Sequence, residues 1–255
     1  MKTTITSLLV LFCIATYAQT VPSQDSLVPV PQKAITLQKT SKLTYKEFII
    51  PAVLISYGAI ALESKSLKNF NNTINKEINL DHPHRSIHVD DYSQFAPGVA
   101  VFGLQAFGIK GKNSAMDEAI IYAMSIGIST VVVTPLKRAT HVMRPDNSAD
   151  NSFPSGHTTI AFASAELLRR EYWDVSPWIG VAGYAVATGT GFLRIYNEKH
   201  WFSDVVAGAG IGIASTNLAY WLHSKINWGK KHKQTASVFP IYENGGFAVG
   251  FISQF

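Results

Sequence analysis

Charge is scarce in this chain. Only 15% of its 255 residues are Asp, Glu, Lys or Arg, while 47% are hydrophobic. A soluble domain usually carries roughly a quarter charged residues. A thin polar coat of this kind disfavours a water-facing domain and points to a membrane-embedded or deeply buried helical protein. Basic blocks are lacking too. The net charge of +5 is dispersed along the sequence, with no Lys/Arg run interleaved with aromatics, and this argues against nucleic acid as a partner. A mildly basic balance suits anionic lipid or a phosphorylated substrate instead. Cysteine is nearly absent. The one thiol, Cys13, lies inside an N-terminal apolar run, so a chain without that run has neither a disulfide nor a thiolate nucleophile. Strand-like alternation is missing from the middle of the chain, which favours helices there.

What is present divides the chain into four parts. Residues 1–18 have the layout of a secretory signal: Lys2, an apolar run, and small residues Thr16 and Ala18 ahead of a cleavage point. An uncleaved membrane anchor is the other reading. Residues 19–46 are polar, with Pro22, Pro29 and Pro31, and read as a linker. Residues 47–228 hold six apolar stretches, near 48–62, 95–109, 120–136, 158–168, 178–192 and 205–222. The expected fold is therefore all-α, a bundle of about six apolar helices, embedded in a membrane. The third, fifth and sixth stretches are the ones expected to span it. Gly183, Gly189, Gly208, Gly210 and Gly212 are expected to let these helices pack closely. Residues 229–255 form a basic tail in which two apolar runs flank Glu243-Asn244-Gly245-Gly246, the pattern of a short β-hairpin.

Chemistry-bearing residues concentrate in three strings. The first is Lys137-x6-Arg144-Pro145. Seven residues are nearly two helical turns, so Lys137, His141 and Arg144 are expected on one face, with Pro145 closing the helix. A basic helix end facing solvent is the plain alternative. The second string is Pro154-Ser155-Gly156-His157. Ser155 is a natural N-cap, Gly156 leaves its N–H open to an anion, and His157 falls in the first turn. The third is Arg194-x5-His200-x3-Asp204. At i, i+4 the carboxylate can share a helical face with the imidazole, fixing its tautomer and raising its basicity. Taken singly, the second string is an ordinary cap and the third a satisfied core histidine. A further loop clusters His82, His84 and His88 with Asp81 and Asp91; it lacks clean metal-ligand spacing and reads as a solvated loop.

The three strings in this order resemble those of the type-2 phosphatidic-acid phosphatase and vanadium haloperoxidase superfamily, over roughly residues 91–222. The resemblance implies that Lys137, Arg144 and Arg194 bind phosphate, with Ser155 and Gly156 adding hydrogen bonds. It implies His157 as general acid, His200 as a nucleophile that forms a phosphohistidine, and Asp204 as its orienter. It implies no metal and no cofactor, and a helical bundle with its active site at one end. The sequence departs from the family pattern at Leu193, where a serine is usual, and at Glu198, where a glycine or small residue is frequent.

The function expected from these readings is a cell-envelope phosphatase. Its substrate is a lipid phosphate or pyrophosphate and its active site faces the periplasm of a bacterial-type envelope. The alternatives are a soluble periplasmic acid phosphatase on small phosphomonoesters, a vanadium haloperoxidase, and an inert lipid-binding module.

Overall fold

The computed structural model describes residues 44–226 in full and the backbone of 237–243 and 246–252. The expected signal, nearly all of the linker and the start of the tail lie outside the described residues. Among the described residues eight helices follow one another: α1 (Lys46–Ala61), α2 (Lys65–Asn75), α3 (Asp90–Ser93), α4 (Ala96–Ala106), α5 (Ala115–Thr140), α6 (Gly156–Tyr172), α7 (Pro177–Tyr196) and α8 (Phe202–Lys225). One wide π-helical turn, Lys76–Leu80, continues α2. All six expected apolar stretches are helices. The tail hairpin is also present, with β1 (Ser237–Glu243) antiparallel to β2 (Gly246–Ile252) and Glu243 opposite Gly246.

The helix ends follow local chemistry. Ser114 caps α5 by accepting a hydrogen bond from the Asp117 N–H at 3.2 Å, and Asp117 and Glu118 sit in its positive first turn. Pro177 opens α7 at a position where no N–H is needed. The Asp204 carboxylate opens α8 by accepting from the Trp201 N–H at 2.9 Å. Helix α2 was not legible as an apolar stretch because asparagine and lysine dominate it. Its signal is subtler: Ser64 as cap, followed by Leu67, Phe70 and Ile74.

Helix α6 is the axis of the bundle. It packs on α4, α7 and α8, and α8 in turn packs on α1 and α5. The main core joins Val101, Ile121, Leu167, Leu168, Tyr172, Ala219 and Tyr220. Close approach of α6 and α8 depends on missing side chains. A Cβ on Gly208 would stand 2.6 Å from the Ser155 carbonyl oxygen, and one on Gly212 would collide with the Thr159 carbonyl. Gly183 and Gly210 are similarly crowded, whereas Gly189 faces open space and has no packing role.

Among the described residues, two helices are long and apolar enough to cross a membrane, α5 (mean hydropathy 1.9) and α8 (1.3). With 26 residues at 1.5 Å each, α5 reaches about 39 Å, more than the ~30 Å of bilayer hydrocarbon. Helices α1 and α2 together could form a third span bent by 94°. The expected span at α7 falls short, because four glycines, two threonines and Arg194 dilute its hydropathy. Only 22% of the apolar window of α5 is buried, so most of that helix presents hydrocarbon outward.

Replacing Gly208 by alanine is expected to destabilise the bundle by about 1–3 kcal/mol, the usual cost of overpacking. Thermal unfolding in detergent reads this directly. An unchanged melting temperature would show that α6 and α8 can separate freely.

Candidate active site

All three strings lie at one end of the bundle: the C-terminal ends of α5 and α7 and the N-terminal ends of α6 and α8. The first string is arranged differently from the expectation. Helix α5 stops at Thr140 because His141 adopts a left-handed conformation, φ 47°. Lys137 is thus in the last helical turn, while Arg144 sits in the following loop. His141 leaves the shared face and pairs with Asp150 at 3.0 Å on the surface, and Pro145 is not what ends the helix. A tight turn carries Arg144 instead: its N–H donates to the Ala149 carbonyl (2.9 Å), and its own carbonyl accepts from Asn147, whose φ is 57°.

The loop is clamped to the third string. The Lys199 ammonium holds Asp146 at 2.6 Å, and the Asp146 N–H donates to the Glu198 carbonyl at 3.2 Å. Glu198 itself is left-handed, φ 55°. That conformation favours glycine, and here a side chain occupies it at a cost of about 1 kcal/mol.

Lys137 reaches across to the second string. Its ammonium donates to the Asn151 carbonyl at 2.5 Å, and its Cε lies 4.0 Å from where a Gly156 Cβ would be. Ser155 caps α6 as expected. Its Oγ accepts from the Thr158 N–H (3.4 Å) and exchanges a hydrogen bond with the Thr158 hydroxyl (2.8 Å). Its side chain is therefore turned along the helix. The Ser155 N–H donates to the Asp204 carbonyl at 3.0 Å, tying the second string to the third.

His200 is buried in the turn between α7 and α8, and its N–H donates to the Arg194 carbonyl (3.2 Å). Asp204 is in the first turn of α8, so the two do not share a helical face. Their closest atoms, His200 Nδ1 and Asp204 Oδ2, are 3.7 Å apart, beyond hydrogen-bond range. Ser152 bridges them. Its hydroxyl donates to Asp204 Oδ2 at 2.5 Å and lies 3.4 Å from His200 Nδ1. The sequence reading paired Asp204 with His200 directly and missed Ser152. The available signal was its place two residues ahead of Pro154. The pKa of His200 is pushed down to about 4, first by burial and then by the nearby charges of Lys137 and Arg194, against an opposing pull from Asp204. The ring is neutral at pH 7. With Nδ1 turned to Ser152 and Asp204, the lone pair on Nε2 is the free one.

Two carboxylates from the expected solvated loop belong to the site. Asp90 is fully buried and forms an ion pair with Arg194, and it also accepts from the Asn197 amide at 3.2 Å. Asp91 binds His157 Nε2 at 3.1 Å. The loop itself is anchored: His84 stacks on Tyr196 with ring centroids 3.5 Å apart and bonds Asn79 at 3.0 Å. Asp91 was grouped with the loop histidines and read as solvated, and Asp90 was not singled out, because nothing in the spacing from 90 to 194 signals its ion pair. Among the described residues, the group with metal-like spacing is Asp90, Asp91 and His157, not the three loop histidines, and Asp90 in that group is already engaged by Arg194.

Two donors are left over. The Nε–H groups of Arg144 and Arg194 are buried without an acceptor among the described residues. Burying such a group unpaired costs about 1–3 kcal/mol or more. Asp204 also lines a cavity of about 670 Å³, together with Leu62, Lys68, Asn71, His141 and Trp201.

Residues 118–228 match the model of the PAP2 superfamily. Lipid A 1-phosphatase of Porphyromonas gingivalis is 41% identical over 139 residues, covering 54% of this chain and 31% of that protein. Bacitracin transport permease protein BcrC of Bacillus licheniformis is 32% identical over 83 residues, covering 32% of this chain and 39% of that one. The matches thus span about a third of the length of these curated relatives. The crystal structure of a transmembrane PAP2-type phosphatidylglycerolphosphate phosphatase from Bacillus subtilis shares the fold. Its TM-score is 0.50 over 73% of this chain and 100% of that one, at 19% identity.

The neutral state of His200 is directly measurable. In histidine-labelled protein in micelles, compared with a His200→Asn variant, its NMR signals should stay those of a neutral ring at pH 6 and titrate near 4. Protonation between 6 and 7 would mean that the site does not exclude water. Relief of the left-handed strain is a second test: Glu198→Gly should raise stability by about 0.5–1 kcal/mol in thermal melts, and a loss would show that its side chain holds the turn.

Proposed function

We propose that this chain, a member of the PAP2 superfamily through residues 118–228, is a membrane phosphatase that cleaves a lipid phosphate or pyrophosphate through a phosphohistidine intermediate. The observation that carries this reading is the pair of orphaned buried guanidinium donors on Arg144 and Arg194. They lie beside Lys137 and an open helix N-terminus at Gly156. A tetrahedral dianion satisfies all of these at once, through forked guanidinium bonds, a point charge and main-chain N–H groups.

The chemistry follows from which atoms are free. His200 Nε2 attacks phosphorus, with Ser152 and Asp204 stabilising the positive charge that grows on the ring. The P–O bond to the lipid breaks as His157 gives a proton to the leaving oxygen. Water then attacks the phosphohistidine, His157 takes its proton, and the P–N bond breaks. Lys137, Arg144 and Arg194 hold the equatorial oxygens throughout, where charge spreads in the transition state. This route requires no metal.

A lipid substrate is favoured over a small soluble ester by α5, a 26-residue helix whose apolar window is mostly turned outward, and by the similarity to a lipid A 1-phosphatase, 41% identical over 139 residues. Charge supports an orientation. Lys110, Lys112, Arg169, Arg170 and Lys225 lie at the end of the bundle opposite the site. The tendency of such residues to stay cytoplasmic favours a site on the periplasmic side of a cell-envelope membrane.

The test is phosphate release by detergent-purified protein from a panel of lipid and water-soluble phosphates. Lipid phosphates should turn over fastest. His200→Ala should fall to background while keeping its melting temperature, and rapid acid-free quenching should trap labelled phosphate on wild type and not on the variant. Wild-type turnover in His200→Ala would contradict the mechanism. Turnover of soluble esters alone would contradict the substrate class.

A further inference from the structure

We propose that Asp91, on the short helix α3, is the positioning residue for the proton that His157 delivers and later recovers. This rests on the phosphatase reading above and extends it to a residue outside the three strings.

His157 has two jobs with opposite needs. In the first step it must carry a proton on the nitrogen facing the leaving oxygen. In the second, that same nitrogen must be bare to accept a proton from water. Both are met if the other nitrogen keeps its hydrogen throughout, and a hydrogen-bond acceptor on that side enforces this. Asp91 Oδ1 stands 3.1 Å from His157 Nε2, and Nδ1 has no protein partner among the described residues. The geometry therefore assigns Nε2–H to Asp91 in both protonation states and leaves Nδ1 as the working atom. When the ring is doubly protonated, Nδ1–H passes its proton to the bridging oxygen as the P–O bond breaks. The ring left behind is the neutral Nε2–H tautomer, whose bare Nδ1 takes the proton of the water that attacks the phosphohistidine.

The surroundings make the acceptor necessary. His157 is pushed toward its neutral form by burial first and by Arg194 of α7 second; the groups opposing this are Asp91 and Asp90, both of α3. Asp90 is committed to Arg194 and Asn197, so Asp91 is the carboxylate available to the imidazole. Helix α3 is not free to drift. Ser93 exchanges a hydrogen bond with Thr190 of α7 at 2.8 Å, and the Gln94 amide donates to the Asp91 carbonyl at 2.8 Å. Asp91 is therefore presented to His157 by a segment fixed to the same helix that carries Arg194. Its carboxylate remains half exposed, so replacing it perturbs the proton relay with little demand on the core.

The experiment compares two monoesters with the same acyl chain, an alkyl phosphate and a nitrophenyl phosphate, hydrolysed by wild type, Asp91→Asn and Asp91→Glu in detergent. The alkoxide is a poor leaving group that needs the proton; the nitrophenolate does not. Asp91→Asn should lose about 10–100-fold in kcat on the alkyl ester, part of the 10²–10⁴ that general acids supply, and less than about threefold on the nitrophenyl ester. The alkaline limb of its alkyl-ester pH profile should move to lower pH, and Asp91→Glu should restore most of both. Equal losses on the two esters, or an unmoved alkaline limb, would overturn the proposal, as would a loss reproduced in wild type by a chelator, which would make Asp91 a metal ligand. A wild type that cleaves neither ester would refute the phosphatase reading itself, an outcome distinct from a selective failure of the Asp91 variants.

Discussion

Like charges crowded at one end of a helical bundle are the constraint around which this structure is built. Lys137, Arg144 and Arg194 converge there with two imidazoles, and mutual repulsion works against the folded state. Two buried carboxylates offset it. Asp90 neutralises Arg194, and Asp204 faces His200 through Ser152. Removing either partner of a buried pair commonly costs about 3–5 kcal/mol, because a naked charge is left behind. Asp91 adds a half-exposed carboxylate at His157, yet the Nε–H groups of Arg144 and Arg194 stay without an acceptor among the described residues, and these are the groups the proposed dianion would satisfy.

Each carboxylate also ties distant parts of the chain together. Asp90 brings α3 to the end of α7, across more than a hundred residues. Asp204 caps α8 with its side chain while its carbonyl takes the Ser155 N–H, so α6 and α8 begin at a common point. Close packing of those two helices, through Gly208 and Gly212, holds that point in place. Site geometry and bundle stability are thus one problem: the helix ends that place His157 and His200 are fixed by the groups that balance their charge.

Most of this architecture could be read in advance where apolar runs or fixed spacings carried it. The six long helices, the cap at Ser155 and the tail hairpin follow local rules of periodicity, capping and turn chemistry. What escaped was set by the fold. Helix α5 ends at His141 because one residue turns left-handed, and no spacing between Lys137 and Arg144 announces that. Ser152 enters between His200 and Asp204 only because the chain folds back 48 residues upstream of His200. Asp90 and Asp91 look like solvated loop residues until α3 docks on α7. Glu198 stood out only as a departure from a frequent small residue or glycine; its left-handed backbone came from the structure.

The most direct test of the convergent cage is the binding of orthovanadate, a tetrahedral oxyanion that can expand its coordination as phosphorus does in the transition state. Its effect on thermal unfolding of the detergent-purified protein should be a saturable stabilisation in wild type, strongly reduced in Arg144→Ala and in Arg194→Gln. Absence of stabilisation in the wild type, or equal stabilisation in all three proteins, would contradict the claim that these side chains enclose one oxyanion.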